Sequence, residues 1–97
     1  METEVVDQPD HKRYEIRVDG ELAGFADYIL TPGMITFTHT EIDQSFEGKG
    51  MGGVLTREAL DDVRERELTV LPVCPFVKGW IERHPEYLDL VHRAGGE

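Results

Sequence analysis

Apolar and polar residues alternate along the first half of the chain. Residues 13–18 place apolar side chains on one side of an extended segment and charged side chains on the other, which predicts a half-buried strand. Asp19–Gly20 predicts a tight hairpin turn, because both central positions of such a turn need positive φ. A second strand is expected over about 22–30 and, after a turn at 31–33, a third over 34–42. The pattern predicts a three-stranded antiparallel meander.

The third of these strands, MITFTHTEI, alternates throughout its length. Simple period-two counting places Ile35, Phe37 and His39 together on one face of the sheet. The three threonines between and beyond them are expected on the other face; they are Thr36, Thr38 and Thr40.

The period changes to that of a helix after the glycine-rich segment. Apolar residues recur every four positions and form one stripe; they are Met51, Leu55, Ala59 and Val63. A short buried strand is expected over 68–74, a short helix over about 76–83, and one or two further turns before the tail. The order is β-β-β-α-β-α, in which the last strand returns parallel to the meander through a right-handed crossover. The expected fold class is α/β, a mixed sheet with helices on its faces.

The composition and net charge of the chain reduce the number of function classes that it fits. The 97 residues carry twenty acidic and ten basic side chains, a formal net charge of −10, which works against binding to nucleic acid or to anionic membranes. Residues 1–10 are acidic and lack a signal-peptide pattern, so we expect a loosely ordered leader before a single domain at 11–93 and a polar tail at 94–97. The single cysteine, Cys74, excludes an internal disulfide and fits a cytoplasmic protein.

Four glycines fall within six positions in the segment EGKGMGG, just before the predicted helix. A flexible turn is the plainest interpretation. Gly48, Gly50 and Gly53 also match the dinucleotide fingerprint, but that fingerprint should follow its strand directly, and the chain is too short for two mononucleotide halves. The phosphate-loop pattern fails because no Gly-Lys-Ser/Thr ends the segment. A third interpretation is an anion cradle, in which successive amides and the helix dipole bind a diphosphate and Lys49 supplies a cation.

The residues around this segment resemble a known family. Strand 34–42, a short turn and EGKGMG before an amphipathic helix resemble the acetyl-CoA-binding motif of the GNAT N-acetyltransferase superfamily, Gln/Arg-x-x-Gly-x-Gly/Ala. Gly50 and Gly52 occupy its glycine positions, and Glu47 stands where Gln or Arg is usual. Together with THTEI, PVCPF and HPEYLDLV, the segment is similar to that of the small single-domain GNAT-like proteins.

The resemblance implies acetyl-CoA as the ligand and assigns the residues that bind it. The backbone at Glu41, Ile42 and Asp43 would pair with the pantetheine arm. The thioester would lie where strand 68–74 diverges from strand 34–42. The diphosphate would lie on the loop and helix start, whose residues are Glu47, Gly48, Lys49, Gly50, Met51, Gly52 and Gly53.

Two side chains at this implied thioester site are candidates for chemistry. Cys74 could attack the thioester with His39 as its base, giving an acetyl-cysteine intermediate. Alternatively a bound amine attacks directly, with His39 or Glu41 as general base. Many GNAT enzymes protonate the departing thiolate with a tyrosine, and here Trp80 takes that place, which leaves Tyr87 as a possible substitute. No metal site is expected.

Two functions are therefore weighed. The first is an N-acetyltransferase that uses acetyl-CoA and an amine acceptor whose identity the sequence does not give. The second is an acetyl-CoA-binding module with little or no turnover. The expected assembly is a monomer or homodimer without nucleic acid or membrane.

Overall fold

A computed structural model describes residues 2–92 of the chain and shows a five-stranded sheet in the order β1-β2-β3-β4-β5. The strands are β1 (Thr3–Gln8), β2 (Arg13–Val18), β3 (Glu21–Thr31), β4 (Met34–Ile42) and β5 (Thr69–Pro72). Neighbours run antiparallel except β4 and β5, which are parallel. The predicted meander and the parallel crossover strand are confirmed, and β5 is shorter than the predicted 68–74.

Residues 2–10 do not form the loose leader that was expected. Thr3–Gln8 pairs along its whole length with β2, and the Asp7 carboxylate accepts a hydrogen bond from the Tyr28 hydroxyl at 2.6 Å and an ion pair from Arg66 at 2.7 Å. The sheet therefore begins before residue 11, and its element order is β-β-β-β-α-β-α. The predicted tail at 94–97 and the domain end at residue 93 lie outside the described residues.

Strand β4 contains a bulge that its sequence does not reveal. Asp27 of β3 pairs with His39, whereas the next residue, Tyr28, pairs with Phe37, so Thr38 is an extra residue in β4. An extra residue reverses the alternation of the side chains that follow it. His39 consequently points to the face opposite Phe37, and the predicted shared face of these two residues is wrong.

Two α-helices cover one face of the sheet: α1 (Met51–Glu65) and α2 (Pro75–Glu82). Three short 3₁₀ helices link the elements, at Pro9–His11, Gln44–Phe46 and Pro85–Leu90. The predicted stripe of α1 is confirmed, because all of its residues are buried against the sheet. The expectation of helices on both faces is wrong for the described residues, since both helices contribute to the same core as Tyr14, Ala26 and Phe37.

No helix among residues 2–92 is long and apolar enough to cross a membrane.

Candidate functional site

The glycine segment turns sharply into helix α1. Gly48 and Gly50 have φ of +81° and +77°, a left-handed backbone conformation that L side chains rarely adopt. Gly50 is the residue before the first helical residue, Met51. Gly52 differs in its packing: a Cβ there would lie 2.7 Å from Cζ of Phe76, so that partly exposed ring would have to shift. Backbone conformation at Gly48 and Gly50 and close packing at Gly52 therefore account for these three glycines.

A row of backbone amides lies open at this turn. The Glu47 amide donates to the Gln44 carbonyl and the Val54 amide donates to the Gly50 carbonyl. Between them, the amides of residues 48–53 donate to no side chain or loop carbonyl in the described part of the chain. The first amides of a helix have no partner within the helix, and the helix dipole adds positive potential at this end. The arrangement fits an anion.

A hollow of about 220 Å³ lies beside these amides. Its apolar wall is formed by Ile42, Phe46 and Phe76, and its floor by the glycine segment. Phe46 packs against the core beneath the loop. Glu47 and Lys49 are both exposed and form no ion pair with a described residue, so neither charge is neutralised by the protein.

Strands β4 and β5 separate next to this hollow. Their pairing runs from Met34 with Thr69 to Phe37 with Pro72, and the Cys74 amide adds a last hydrogen bond to the Phe37 carbonyl at 2.8 Å. Residues 38–42 continue β4 beyond this point without a strand on the β5 side. The edge of β4 that was expected to pair with an extended ligand is therefore present.

The structure does not bring Cys74 and His39 together. Cys74 is buried, and its Sγ donates to Thr40 Oγ1 at 3.4 Å. His39, next to Thr40 along β4, points to the opposite face, where its Nε2 lies 3.1 Å from Glu41 Oε1. The predicted cysteine–histidine couple is wrong, and the Thr38 bulge is the physical reason. Thr40 is the contact of Cys74 that the alternation pattern missed.

None of the tyrosine hydroxyls among the described residues is hydrogen-bonded to Cys74. Each of the three donates its hydroxyl to an aspartate: Tyr14 to Asp62, Tyr28 to Asp7 and Tyr87 to Asp61. Burial, followed by the hydrogen bond to the aspartate, raises the pKa of each hydroxyl above its usual value. Tyr87, the possible substitute proton donor, packs instead against the middle of α1, where Arg57 Nη1 donates to its hydroxyl oxygen at 3.3 Å.

Trp80 is almost fully buried on α2, at 4% exposure, and stacks on His84 with ring centroids 3.8 Å apart. Its side chain carries a hydrogen-bond donor, but that donor is too weak an acid for proton transfer to a thiolate. Lys78 on α2 and Arg83 directly after it are exposed to solvent.

Two features together define a class of protein: a mixed sheet whose parallel strands separate, and open amides at the start of the crossover helix. They are the features of the minimal acyl-CoA N-acyltransferase fold. Residues 13–90 match the model of the GCN5-related N-acetyltransferase family. The chain belongs to this family.

Solved structures show the same fold. A GCN5-like protein from Staphylococcus aureus, determined by NMR, superposes with a TM-score of 0.68 at 20% identity, over 95% of this chain and 92% of the other. A ribosomal-protein-alanine N-acetyltransferase from Brucella melitensis biovar Abortus 2308 gives 0.55 at 22% identity, over 88% of this chain and 64% of the other. Ard1 from Thermoplasma volcanium gives 0.54 at 21%, over 63% of this chain and 43% of the other. At these identities the likeness establishes the fold. No curated protein sequence matches the chain.

Proposed function

We propose that the protein is an acetyl-CoA-dependent N-acetyltransferase that acts on an amine. The observation that carries this proposal is the row of open amides at residues 48–53, which lies beside the separated edge of β4. The first feature fits a diphosphate and the second fits an extended pantetheine arm. Membership of the family supports acetyl-CoA as the acyl donor.

The hydrogen-bond donors of this segment fit the diphosphate of acetyl-CoA, although the protein carries a net negative charge. The segment offers main-chain N–H groups, and hydrogen bonds to a charged group contribute about 1.5–3 kcal/mol each. Lys49 adds a cation, whereas Glu47 opposes the anion. Positive φ at Gly48 and Gly50 turns the chain, and a Cβ at either glycine would meet no other atom within 4 Å, so the space in front of the backbone is open.

The arrangement favours direct attack by the amine over an acetyl-cysteine intermediate. Cys74 has Thr40 as its contact and no histidine beside it, so it lacks the base that the covalent route needs. His39 and Glu41 lie on the open face of the sheet, with side chains 58% and 63% exposed. If Nε2–H is donated to Glu41, the Nδ1 atom is free to accept a proton.

In this step the amine nitrogen forms a bond to the acetyl carbon, the carbon–sulfur bond breaks and coenzyme A leaves as the thiolate. His39 takes the proton that the nitrogen loses. Cys74 then lines the pocket on the helix-covered face and remains unmodified.

One observation favours the second candidate, a binding module with little turnover. None of the tyrosine hydroxyls is available as an acid for the departing thiolate, because all three donate to aspartates. A slow or absent chemical step would follow if the thiolate needs such a donor.

The test is thiol release from acetyl-CoA with a panel of cationic amines and lysine peptides, combined with intact-mass analysis. The proposal predicts turnover that falls about a hundredfold or more in His39→Gln. His11→Gln, on an exposed turn, serves as the matched control and should retain it. An acetyl adduct that disappears in Cys74→Ser would overturn direct attack, and binding without release would favour the module.

A cytoplasmic location, a monomeric or homodimeric assembly and the lack of nucleic-acid and membrane partners stay predictions from the sequence.

A further inference from the structure

A second hollow, of about 380 Å³, lies on the other side of the start of α1. It shares Gly50 and Gly53 with the first hollow and continues along the helix past Val54, Arg57 and Glu58. These residues recur at three- or four-residue spacing and so lie on one face of the helix. Trp80 and His84 form the facing wall. The two hollows therefore meet at the open amides.

The indole of Trp80 presents an unused donor to this hollow. Trp80 is 4% exposed, and its Nε1–H donates to no group among residues 2–92. Nε1 lies 3.5 Å from the position that a Cβ of Gly53 would occupy, so it faces the helix start. No buried side-chain nitrogen or oxygen among the described residues lacks a hydrogen-bond partner, so the unpartnered Nε1–H opens onto the hollow and is available to a ligand.

Arg57 is the one arginine of α1 without a close carboxylate among the described residues. Arg64 lies 2.8 Å from Asp89, whereas the carboxylate contact of Arg57 is Glu86 at 3.9 Å. The guanidinium also lies over the Trp80 ring, 5.2 Å from its centroid. Glu58 is the one acidic side chain of the hollow and opposes an anion there. A cation and an indole N–H thus converge on one space next to the diphosphate cradle.

We propose that this second hollow binds the 3′-phosphate of coenzyme A, with Arg57 and the Trp80 indole as its donors. The inference rests on the proposed function, because the 3′-phosphate and the diphosphate are carried by the same ribose. With the diphosphate on the amides of residues 48–53, the sugar lies at the junction of the hollows. The pantetheine arm extends to the β4 side and the phosphomonoester to the Arg57 side.

The test compares coenzyme A with dephospho-coenzyme A, which lacks only the 3′-phosphate. Binding is followed by the fluorescence of Trp80, the single tryptophan of the chain. We expect wild-type protein to bind coenzyme A about tenfold or more tightly, the size of one or two charge-assisted hydrogen bonds. In Arg57→Gln most of this preference should be lost, and only the part that the Trp80 indole contributes should remain.

Arg64→Gln is the matched control: it removes the same charge from the same helix and, like Arg57, Arg64 packs over Tyr87, but it lies outside the hollow. It should retain the preference. Equal binding of the two ligands by wild-type protein, which needs no variant, would overturn the inference while leaving the proposed function intact. A preference that survives undiminished in Arg57→Gln would overturn the assignment of that residue. Absence of binding by both ligands would instead overturn the proposed function.

Discussion

Gly50 has a conformational role, because its φ is positive, and a proposed role in leaving space for a ligand in front of the backbone. Replacing it with alanine separates the effect on stability from the effect on binding. At φ of +77° an L residue is strained, and left-handed backbone costs about 1–2 kcal/mol. For a domain of this size each kcal/mol lowers the Tm by roughly 4–8 °C. No atom lies within 4 Å of the added Cβ, so packing adds no further cost. In the free protein Gly50→Ala should therefore cause a moderate loss of stability and nothing more.

We expect Gly50→Ala to weaken the binding of coenzyme A in addition to its moderate effect on stability. The new methyl group projects into the open space in front of the amides, where the account places the diphosphate. Loss of one hydrogen bond to a charged group costs about 1.5–3 kcal/mol, which is about tenfold or more in affinity. The assay is calorimetric titration with coenzyme A at a temperature well below the Tm of the variant.

Gly33→Ala is a close control for the strain. Gly33 has the same φ of +77°, and a Cβ there also meets no atom within 4 Å, but it lies in the turn between β3 and β4. The two variants should lose similar stability, and only Gly50→Ala should lose affinity. Equal affinity of both variants for coenzyme A would refute the idea that a ligand occupies the space in front of Gly50.

Three further predictions concern the fold. Asp7→Ala removes the acceptor of the Tyr28 hydroxyl and should lower the free energy of unfolding in urea by about 1–3 kcal/mol. The control, Asp10→Ala on an exposed turn, should change it by less than about 0.5 kcal/mol. Equal losses would mean that Asp7 does not anchor β1. Because burial and the aspartate bonds raise the pKa of the tyrosines, the unfolded chain should lose these protons first and stability should fall as pH rises above about 10. Tyr28→Phe should reduce that slope, and a urea midpoint constant to pH 11 would contradict it. Burial raises the pKa of Glu15, but its hydrogen bonds and ion pairs with Arg13 and Arg17 together outweigh burial and lower the pKa overall. Glu15→Gln should therefore weaken the loss of stability on acidification below about pH 4.5, and an unchanged acid profile would count against these ion pairs.

The candidate site was largely predictable where its geometry is local. The start of α1 and its buried stripe both follow from short stretches of sequence. The parallel return of β5 followed from the handedness of crossover connections. These features locate the amides and the separated strands without reference to distant contacts.

The features that were not predictable depend on partners elsewhere in the chain. The β1 sequence TEVVDQ resembles a polar leader. Asp7 stabilises the strand through contacts with Tyr28 and Arg66, and these residues are too distant in sequence for a local pattern to reveal them. The bulge at Thr38 is set by the register against β3, which the alternation of β4 alone cannot show. One extra residue places His39 and Cys74 on opposite faces of the sheet, and this favours direct attack over the acetyl-cysteine route, which the sequence had left open beside it.

The second hollow illustrates the same limit. Arg57 lies four residues before Asp61, a spacing at which two side chains can pair on the surface of a helix. The structure instead places its guanidinium over Trp80 and leaves it without a close carboxylate among the described residues. The position of α2 against the start of α1 creates this environment, and no local pattern encodes it.

The proposed function depends most on the binding of a diphosphate by the amides of residues 48–53 on an acidic protein. The most direct measurement is a titration of isotope-labelled protein with coenzyme A, followed by the backbone amide resonances in NMR spectra. The account predicts that these resonances, together with those along the open edge of β4, show the largest saturable shifts. Saturation that leaves them in place, or shifts confined to another part of the sheet, would contradict it.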